Sequence, residues 1–365
     1  MPISRRDFLK ATAAVAGALG ISSPLLQREQ EALAKEGGLQ VVWLQGQACT
    51  GCSVSLLNSI YYATIDDLLL NTLDLQYHPN VMAGAGSTAI AAAEEAYAKG
   101  GFALVIEGAI PTAYGGRACY VWPGTTMQAA VTRYAAKAAA IIAVGTCASF
   151  GGMAAGRPNP TQARPVKTIV GSRPVINIPG CPAHPDWIVG TIAYILQNGK
   201  VPPLDSYGRP TDFFGKTTHS ACPRRSSYVG PGHHSRGRPC LACHTLAGSG
   251  GGRARGEEDD EAESLNASQI PAAALSMPGC LSPMGCKGVS TYCDCPTRMW
   301  NSGAAATPGV NWCIGAGSPC IGCTQPNFPD GMSPFLTAAA TANPGAAPSG
   351  GGTGGGTGGG ETDDD

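Results

Sequence analysis

The stretch QVVWLQGQACTGCSVSLLNS, residues 40–59, passes from an apolar run through a turn into a helical segment. Gln40–Leu44 has the length and apolar continuity of a buried parallel strand, and Ser53–Ser59 reads as helix. The turn between them holds Cys49 and Cys52. The same alternation continues outward. Leu73–Tyr77, Phe102–Ile106, Ala140–Val144 and Pro174–Ile178 read as further strands, and Ser87–Lys99, Thr126–Ala139 and Pro185–Gln197 as helices. A βαβ succession of this kind predicts an α/β fold, a doubly wound parallel sheet with flavodoxin-like order. Cys147 follows the fourth strand in AVGTCASFGG, and Cys181 follows the fifth in NIPGCPAHPDW. Loops after the carboxyl ends of parallel strands share one edge of the sheet, where such folds bind ligands. Four cysteines from three such loops can therefore meet at one point; the alternative is four buried small hydrophobes. Cys119, in the long loop after the third strand, completes no obvious set.

A second concentration lies further on. Seven of the 15 cysteines fall between Cys280 and Cys323: those two, Cys286, Cys293, Cys295, Cys313 and Cys320. Gly and Pro are interleaved with them and no long apolar period appears, so an irregular C-terminal domain is expected. Thiolate–metal bonds or disulfides must hold it, and iron–sulfur clusters, zinc and disulfides all fit the residues.

Length and composition set the remaining bounds. The 365 residues suggest about two domains, and an apolar fraction of 43% is enough for real cores. With 13% charged residues and a net charge of −1, no nucleic-acid footprint is present. No run of 18 apolar residues occurs, so no transmembrane helix is expected. Ser4–Lys10 carries paired arginines, Arg5 and Arg6, followed by the weakly apolar run Ala11–Leu26 and the small-residue site Ala32-Leu33-Ala34. This is the order of a twin-arginine signal peptide, here residues 1–34, which directs folded proteins to the periplasm. The organisation expected from this is residues 35–200 as the flavodoxin-like domain and 201–335 as the C-terminal domain. Residues 226–277 read as an inserted, partly disordered loop, and 336–365 as a flexible Gly-rich tail.

The motifs together resemble the small subunit of periplasmic, uptake-type nickel–iron hydrogenases. They are C-T-G-C-S after the first strand, EG-x-IP (Glu107–Pro111), GTCA-x-FGG, IPGCP, GRP-x-x-FFGKT-x-H-x-x-CPRR (Gly208–Arg225), C-x5-CKG, CPTR-x-W, GVNW and PCIGC-x-x-PNFPDGMSPF. The resemblance implies an electron-transfer subunit with three iron–sulfur clusters. They would pass electrons from H2 oxidation at a nickel–iron site in a separate large subunit to a downstream cytochrome or other acceptor. It also implies the ligands. A proximal 4Fe–4S cluster would take Cys49, Cys52, Cys147 and Cys181. A distal 4Fe–4S cluster would take His219, Cys222, Cys280 and Cys286. A medial cluster, 3Fe–4S or 4Fe–4S, would take Cys295, Cys320 and Cys323.

Three features depart from the family pattern: Gly51, Cys313 and the insertion at residues 226–277. Gly51 stands inside the first cysteine pair, where some oxygen-tolerant relatives carry an additional cysteine nearby. Cys313 in GVNWC stands where many relatives have proline, and a thiolate there is a candidate fourth medial ligand. Cys293, two before Cys295, is expected to point to the opposite side of an extended segment and to be spare. In the insertion, Cys240, Cys243 and His244 form the C-x-x-C-H pattern of haem c attachment, with an adventitious pair as the alternative. Two other functions are compatible with parts of this reading: a hydrogen-sensing protein of the same superfamily, and a stand-alone multi-cluster electron carrier.

Overall fold

A computed structural model describes residues 39–227, 279–300, 312–333 and 335. The signal peptide, the C-x-x-C-H pattern of Cys240, Cys243 and His244, and the tail lie outside the described residues. The sheet is five-stranded and parallel throughout: β1 (Leu39–Gln45), β2 (Leu73–Tyr77), β3 (Ala103–Glu107), β4 (Ala140–Val144) and β5 (Ile176–Ile178). Its order is β2-β1-β3-β4-β5, the flavodoxin-like order expected. β5 starts two residues later than expected. It is an edge strand paired only from Ile176, and Pro174 brings no N–H to a ladder.

Alternation along the strands builds two core layers. Val41, Trp43, Val105, Ile142 and Ile178 face one side, where α1 (Gly51–Leu57) supplies Leu56 and α5 (Pro185–Asn198) supplies Trp187, Ile188 and Ile192. Val42, Leu44, Leu104 and Ile106 face the other, covered by α2 (Gly86–Lys99) and α3 (Met127–Ala135). The buried residues of α2 are Ala89, Ala93 and Ala96, spaced to make one smooth face that lies close on the sheet. Cys119 packs with this second layer, on the opposite side of the sheet from Cys52.

The C-terminal part is irregular, as its Gly and Pro content suggests. It contains short turns of helix, among them α6 (Thr218–Ala221) and α7 (Cys295–Arg298). Its apolar cluster is small, and thiols belong to it: Cys222, Leu281, Met284, Cys286, Trp312, Ile314 and Cys320. Polar ties hold it to the sheet domain. His184 caps α5, accepting from the Asp186 amide at Nδ1 (3.0 Å), and its Nε2–H donates to the Met299 carbonyl (2.7 Å). Both bonds require the neutral ring, which burial favours by lowering its pKa to about 4. Trp187 Nε1 donates to Asp294 (2.7 Å), and the Arg298 guanidinium lies between Asp294 and Asp186.

Arg209 is a further buried tie, with 2% of its surface exposed. It donates to Asp205 Oδ2 (2.7 Å) and to the Thr324 carbonyl (3.2 Å), next to Cys323. Arg209→Leu keeps bulk but leaves the Asp205 carboxylate and a buried carbonyl without their donor. A buried pair broken on one side costs about 3–5 kcal/mol; Asp205 keeps some solvent, so a loss of about 2–4 kcal/mol is expected. A fall in the urea unfolding midpoint measures it, and an unchanged midpoint contradicts the role given to Arg209.

Candidate metal centres

The carboxyl edge of the sheet gathers the first set of thiols. Thr50 takes a left-handed conformation (φ 66°), which turns the chain sharply between Cys49 and Cys52 as α1 begins. Gly145, at φ 85°, lets the loop after β4 approach Cys52 so closely that a Cβ there would stand 2.5 Å from the Cys52 sulfur. The loops after β4 and β5 are clipped together. Thr146 N donates to the Gly180 carbonyl (2.9 Å) and Gly180 N to Thr146 Oγ1 (2.8 Å). The same hydroxyl donates to the Cys323 carbonyl, so one threonine joins the loops of Cys147, Cys181 and Cys323.

Within this set Cys52 is buried, Cys147 half-buried, and Cys49 and Cys181 exposed. Their electrostatic coupling shows that they converge: Cys52 feels Cys147 and Cys181, while Cys147 and Cys181 both feel Cys49. Burial pushes the Cys52 thiol well above the usual range and Cys181 to about 11, with Cys147 also raised. Among the described residues, no three His, Cys, Asp or Glu side chains close on a point as they would for a single metal ion. Thiolates bound to different irons of one cluster have to stand apart in this way.

A buried carboxylate supports the set. Glu107 ends β3 with 2% of its surface exposed. Its oxygens accept from Cys52 N (3.0 Å), Ser53 N (3.3 Å), Gln45 Nε2 (2.9 Å), Trp43 Nε1 (3.3 Å) and Ser53 Oγ (2.5 Å). Ser53 Oγ in turn lies 3.2 Å from His78 Nε2, and His78 Nδ1 accepts from Asn80 N (3.1 Å). The network fixes the start of α1 and hence Cys52. Glu107 is not among the site residues that the sequence singles out; an acid closing the apolar run FALVIE is its signal.

The second set is Cys295, Cys320 and Cys323, all coupled electrostatically to one another or to Cys293. Burial is the largest influence raising the Cys320 and Cys323 thiols. Cys293 is not turned away as expected. Its sulfur is 3.3 Å from that of Cys295, because Asp294 (φ −94°, ψ 18°) leads into α7 and the strand-like alternation is lost. Cys313 is exposed at the rim of this group, within electrostatic reach of Cys293 and Cys323.

The third set is Cys222, Cys280 and Cys286, all buried. Cys286 feels both others. His219 stands on α6 three residues before Cys222, whose amide donates to its carbonyl (3.2 Å). The sets are contiguous. Cys320 N donates to the Cys286 sulfur (3.4 Å), and the Thr146 hydroxyl, one residue before Cys147, donates to the Cys323 carbonyl. The order along the molecule is therefore the sheet-edge set, then the Cys295 set, then the Cys222 set.

Comparison with known proteins gives the chain's relatives. Residues 49–195 match the family model of the NADH ubiquinone oxidoreductase 20 Kd subunit. Residues 257–336 match the model for the C-terminal part of the NiFe/NiFeSe hydrogenase small subunit, and 2–22 that of the twin-arginine translocation signal. The chain is 37% identical to the periplasmic [NiFeSe] hydrogenase small subunit of Desulfomicrobium baculatum, over 93% of this chain and 100% of that one. It is 36% identical to the periplasmic [NiFe] hydrogenase small subunit of Solidesulfovibrio fructosivorans, over 91% and 92%. The crystal structure of the reduced, active NiFeSe hydrogenase from Desulfomicrobium baculatum superposes with a TM-score of 0.66, covering 83% of this chain and 100% of that one.

Burial lowers the His78 pKa to about 4, against 6.5 for a free histidine. The sign follows from linkage: a neutral buried imidazole contributes stability above pH 6.5 that is lost as pH falls through 4. Urea midpoints of the parent and His78→Gln should therefore differ most at pH 7 and converge toward pH 4. A gap independent of pH contradicts the neutral, buried imidazole.

Proposed function

The chain belongs to the small-subunit family of nickel–iron hydrogenases, and from that membership we propose that it conducts electrons between a large subunit's catalytic centre and an external acceptor through three iron–sulfur clusters. As a hydrogenase small subunit, it leaves the hydrogen chemistry to a metal centre in the partner. Its twin-arginine signal makes it a periplasmic protein. Among the described residues, no helix is long and apolar enough to cross a membrane.

The observation that carries the proposal is the contiguity of the three thiol sets, joined by the Thr146 hydroxyl at the Cys323 carbonyl and the Cys320 amide at Cys286. The donor sets suit the groups. Thiols raised by burial become good ligands once a metal charge replaces the proton. Cys49, Cys52, Cys147 and Cys181 would hold the proximal 4Fe–4S cluster. His219, Cys222, Cys280 and Cys286 would hold the distal one, and Cys295, Cys320 and Cys323 the medial one, with Cys313 as fourth thiolate. When bound, such clusters supply one-electron carriers whose potentials follow ligand charge, hydrogen bonds and exposure. The chain's own work is to fix those ligands, bury the thiols of Cys222, Cys280, Cys286 and Cys320, and leave the proximal edge open to the partner. Along α1, which starts just after Cys49, and just beyond it, Val54, Leu57 and Ile60 are 42–52% exposed. An apolar group of this kind fits a protein interface.

Haem is left out of these cofactors. The C-terminal family match begins at residue 257, beyond Cys240, Cys243 and His244, and no comparison supports a haem. A stand-alone carrier and a cytoplasmic hydrogen sensor fit less well than an exported subunit that leaves two proximal thiols exposed.

Two measurements test the proposal. Expressed with its signal peptide but without the large subunit, the chain should give no hydrogen-dependent dye reduction, and adding the partner gene should restore it. Substantial activity from the chain alone would defeat the assignment. For the medial cluster, Cys313→Pro should convert a 4Fe–4S into a 3Fe–4S centre, seen as a sharp paramagnetic signal in the oxidised protein. If parent and variant show the same oxidised spectrum and spin count, Cys313 is not a ligand.

A further inference from the structure

Cys293 has no part in the ligand sets above, yet its thiol is the most tightly held of the medial group. Its residue is 4% exposed. Its sulfur lies 3.3 Å from the Cys295 sulfur and 3.0 Å from Thr218 Oγ1. Thr218, 1% exposed, has little freedom to move. Its amide donates to the Thr291 carbonyl (2.7 Å), an isolated bridge pairs Thr217 with Tyr292, and Gly288 lies close to its methyl group. These contacts dock the segment that carries Cys293 against α6, the turn that carries His219 and precedes Cys222.

We infer that Cys293 is a protonated hydrogen-bond donor to the sulfur of Cys295, oriented by Thr218, and that it sets the potential of the medial cluster without binding iron. The inference rests on the reading that Cys295 is a medial ligand. Once Cys295 is a thiolate on iron it has no proton to give, so the bond between the two sulfurs can run only from Cys293 to Cys295. Cys293 then keeps its proton, and its own lone pairs face the Thr218 hydroxyl, which donates to it. The chain Thr218 O–H to Cys293 S–H to Cys295 sulfur is satisfied at every member with no charge added. The ligand alternative is worse on both counts. Cys295, Cys320, Cys323 and Cys313 already supply one thiolate for each iron of a 4Fe–4S cluster. A fifth thiolate 3.3 Å from Cys295 would place two like charges in contact in a buried site.

A donor to a ligating sulfur stabilises the reduced, more negative cluster more than the oxidised one, so it raises the potential. A fourth thiolate acts in the opposite direction by adding negative charge. This chain carries both: Cys313 would lower the medial potential, and Cys293 offsets part of that fall. The same hydrogen-bond chain is a physical link between the medial ligand Cys295 and the helical turn of the distal ligands.

The test uses the purified complex of this chain with its large subunit, as parent, Cys293→Ala, Cys293→Ser and Thr218→Val. Iron content, the midpoint potential of the medial cluster by paramagnetic-resonance titration, and exchangeable protons by ENDOR are read together. In the parent, an exchangeable proton coupled to the medial cluster should appear; this reading needs no variant to fold. Cys293→Ala should keep full iron, lose that proton and shift the medial midpoint to lower potential. Cys293→Ser should stay near the parent, and Thr218→Val should shift the same way by less. Loss of iron or conversion to a 3Fe–4S signal in Cys293→Ala would make Cys293 a ligand and overturn the inference. An unchanged potential in Cys293→Ala, or no exchangeable proton in the parent, would reduce it to a packing residue. Absence of any medial cluster in the parent would instead overturn the cluster reading on which the inference stands.

Discussion

A buried thiol resists ionisation, and this constraint governs the molecule. Burial is the largest influence raising Cys52, Cys147, Cys181, Cys286, Cys320 and Cys323. A thiolate in such a place is uncompensated unless a metal charge sits beside it. Two architectures follow in one chain. The sheet domain has two full apolar layers and gathers Cys49, Cys52, Cys147 and Cys181 on one edge, so most of its core does not depend on them. The C-terminal part has a small apolar cluster in which Cys222, Cys286 and Cys320 are themselves core members. With these thiols as cluster ligands, as proposed, the metal–thiolate bonds and the core would share the same atoms, so cluster assembly and folding would be coupled. Such a protein would need its clusters before export, which suits a twin-arginine signal, since that route carries folded cargo.

Much of this is legible in the sequence, for reasons that differ by region. The strands are readable because parallel strands buried on both faces are continuous apolar runs, and AIIAV falls residue for residue where expected. Strand order follows from the βαβ succession, and the loops holding Cys49, Cys52, Cys147 and Cys181 follow from strand order. What stays hidden depends on side-chain partners far apart in the chain. Thr146 gains its meaning from Gly180 and Cys323, and Arg209 from Thr324. Glu107 stands out as a lone acid in an apolar strand, but its five donors come from residues 43 to 53. Cys293 escapes the rule because a strand's alternation does not apply to a segment that turns into a short helix. Periodicity rules hold only where the backbone repeats, and the described residues around Cys293 have almost no repeating backbone.

The distribution of exposure gives the molecule a direction. The distal thiols Cys222, Cys280 and Cys286 are buried within this chain. The sheet-edge set is different: Cys49 and Cys181 are exposed, and Val54, Leu57 and Ile60, along and just after α1, are uncovered. An iron–sulfur cluster open to solvent on that side would be vulnerable, and water around it would enlarge the charge reorganisation of each electron transfer. Glu107 already adds a negative charge on the inner side of Cys52, and it is the second influence raising that thiol. The outer side is therefore where a low-dielectric cover has most effect. A partner that seats on α1 and the neighbouring loops would bury the apolar residues and exclude water from two of the four thiols. It would also bring its own metal centre next to the first carrier. Cofactor protection, interface energy and electronic contact then fall on one surface, which accounts for the apolar residues of α1 being left outward while the opposite face of that helix is spent on the core.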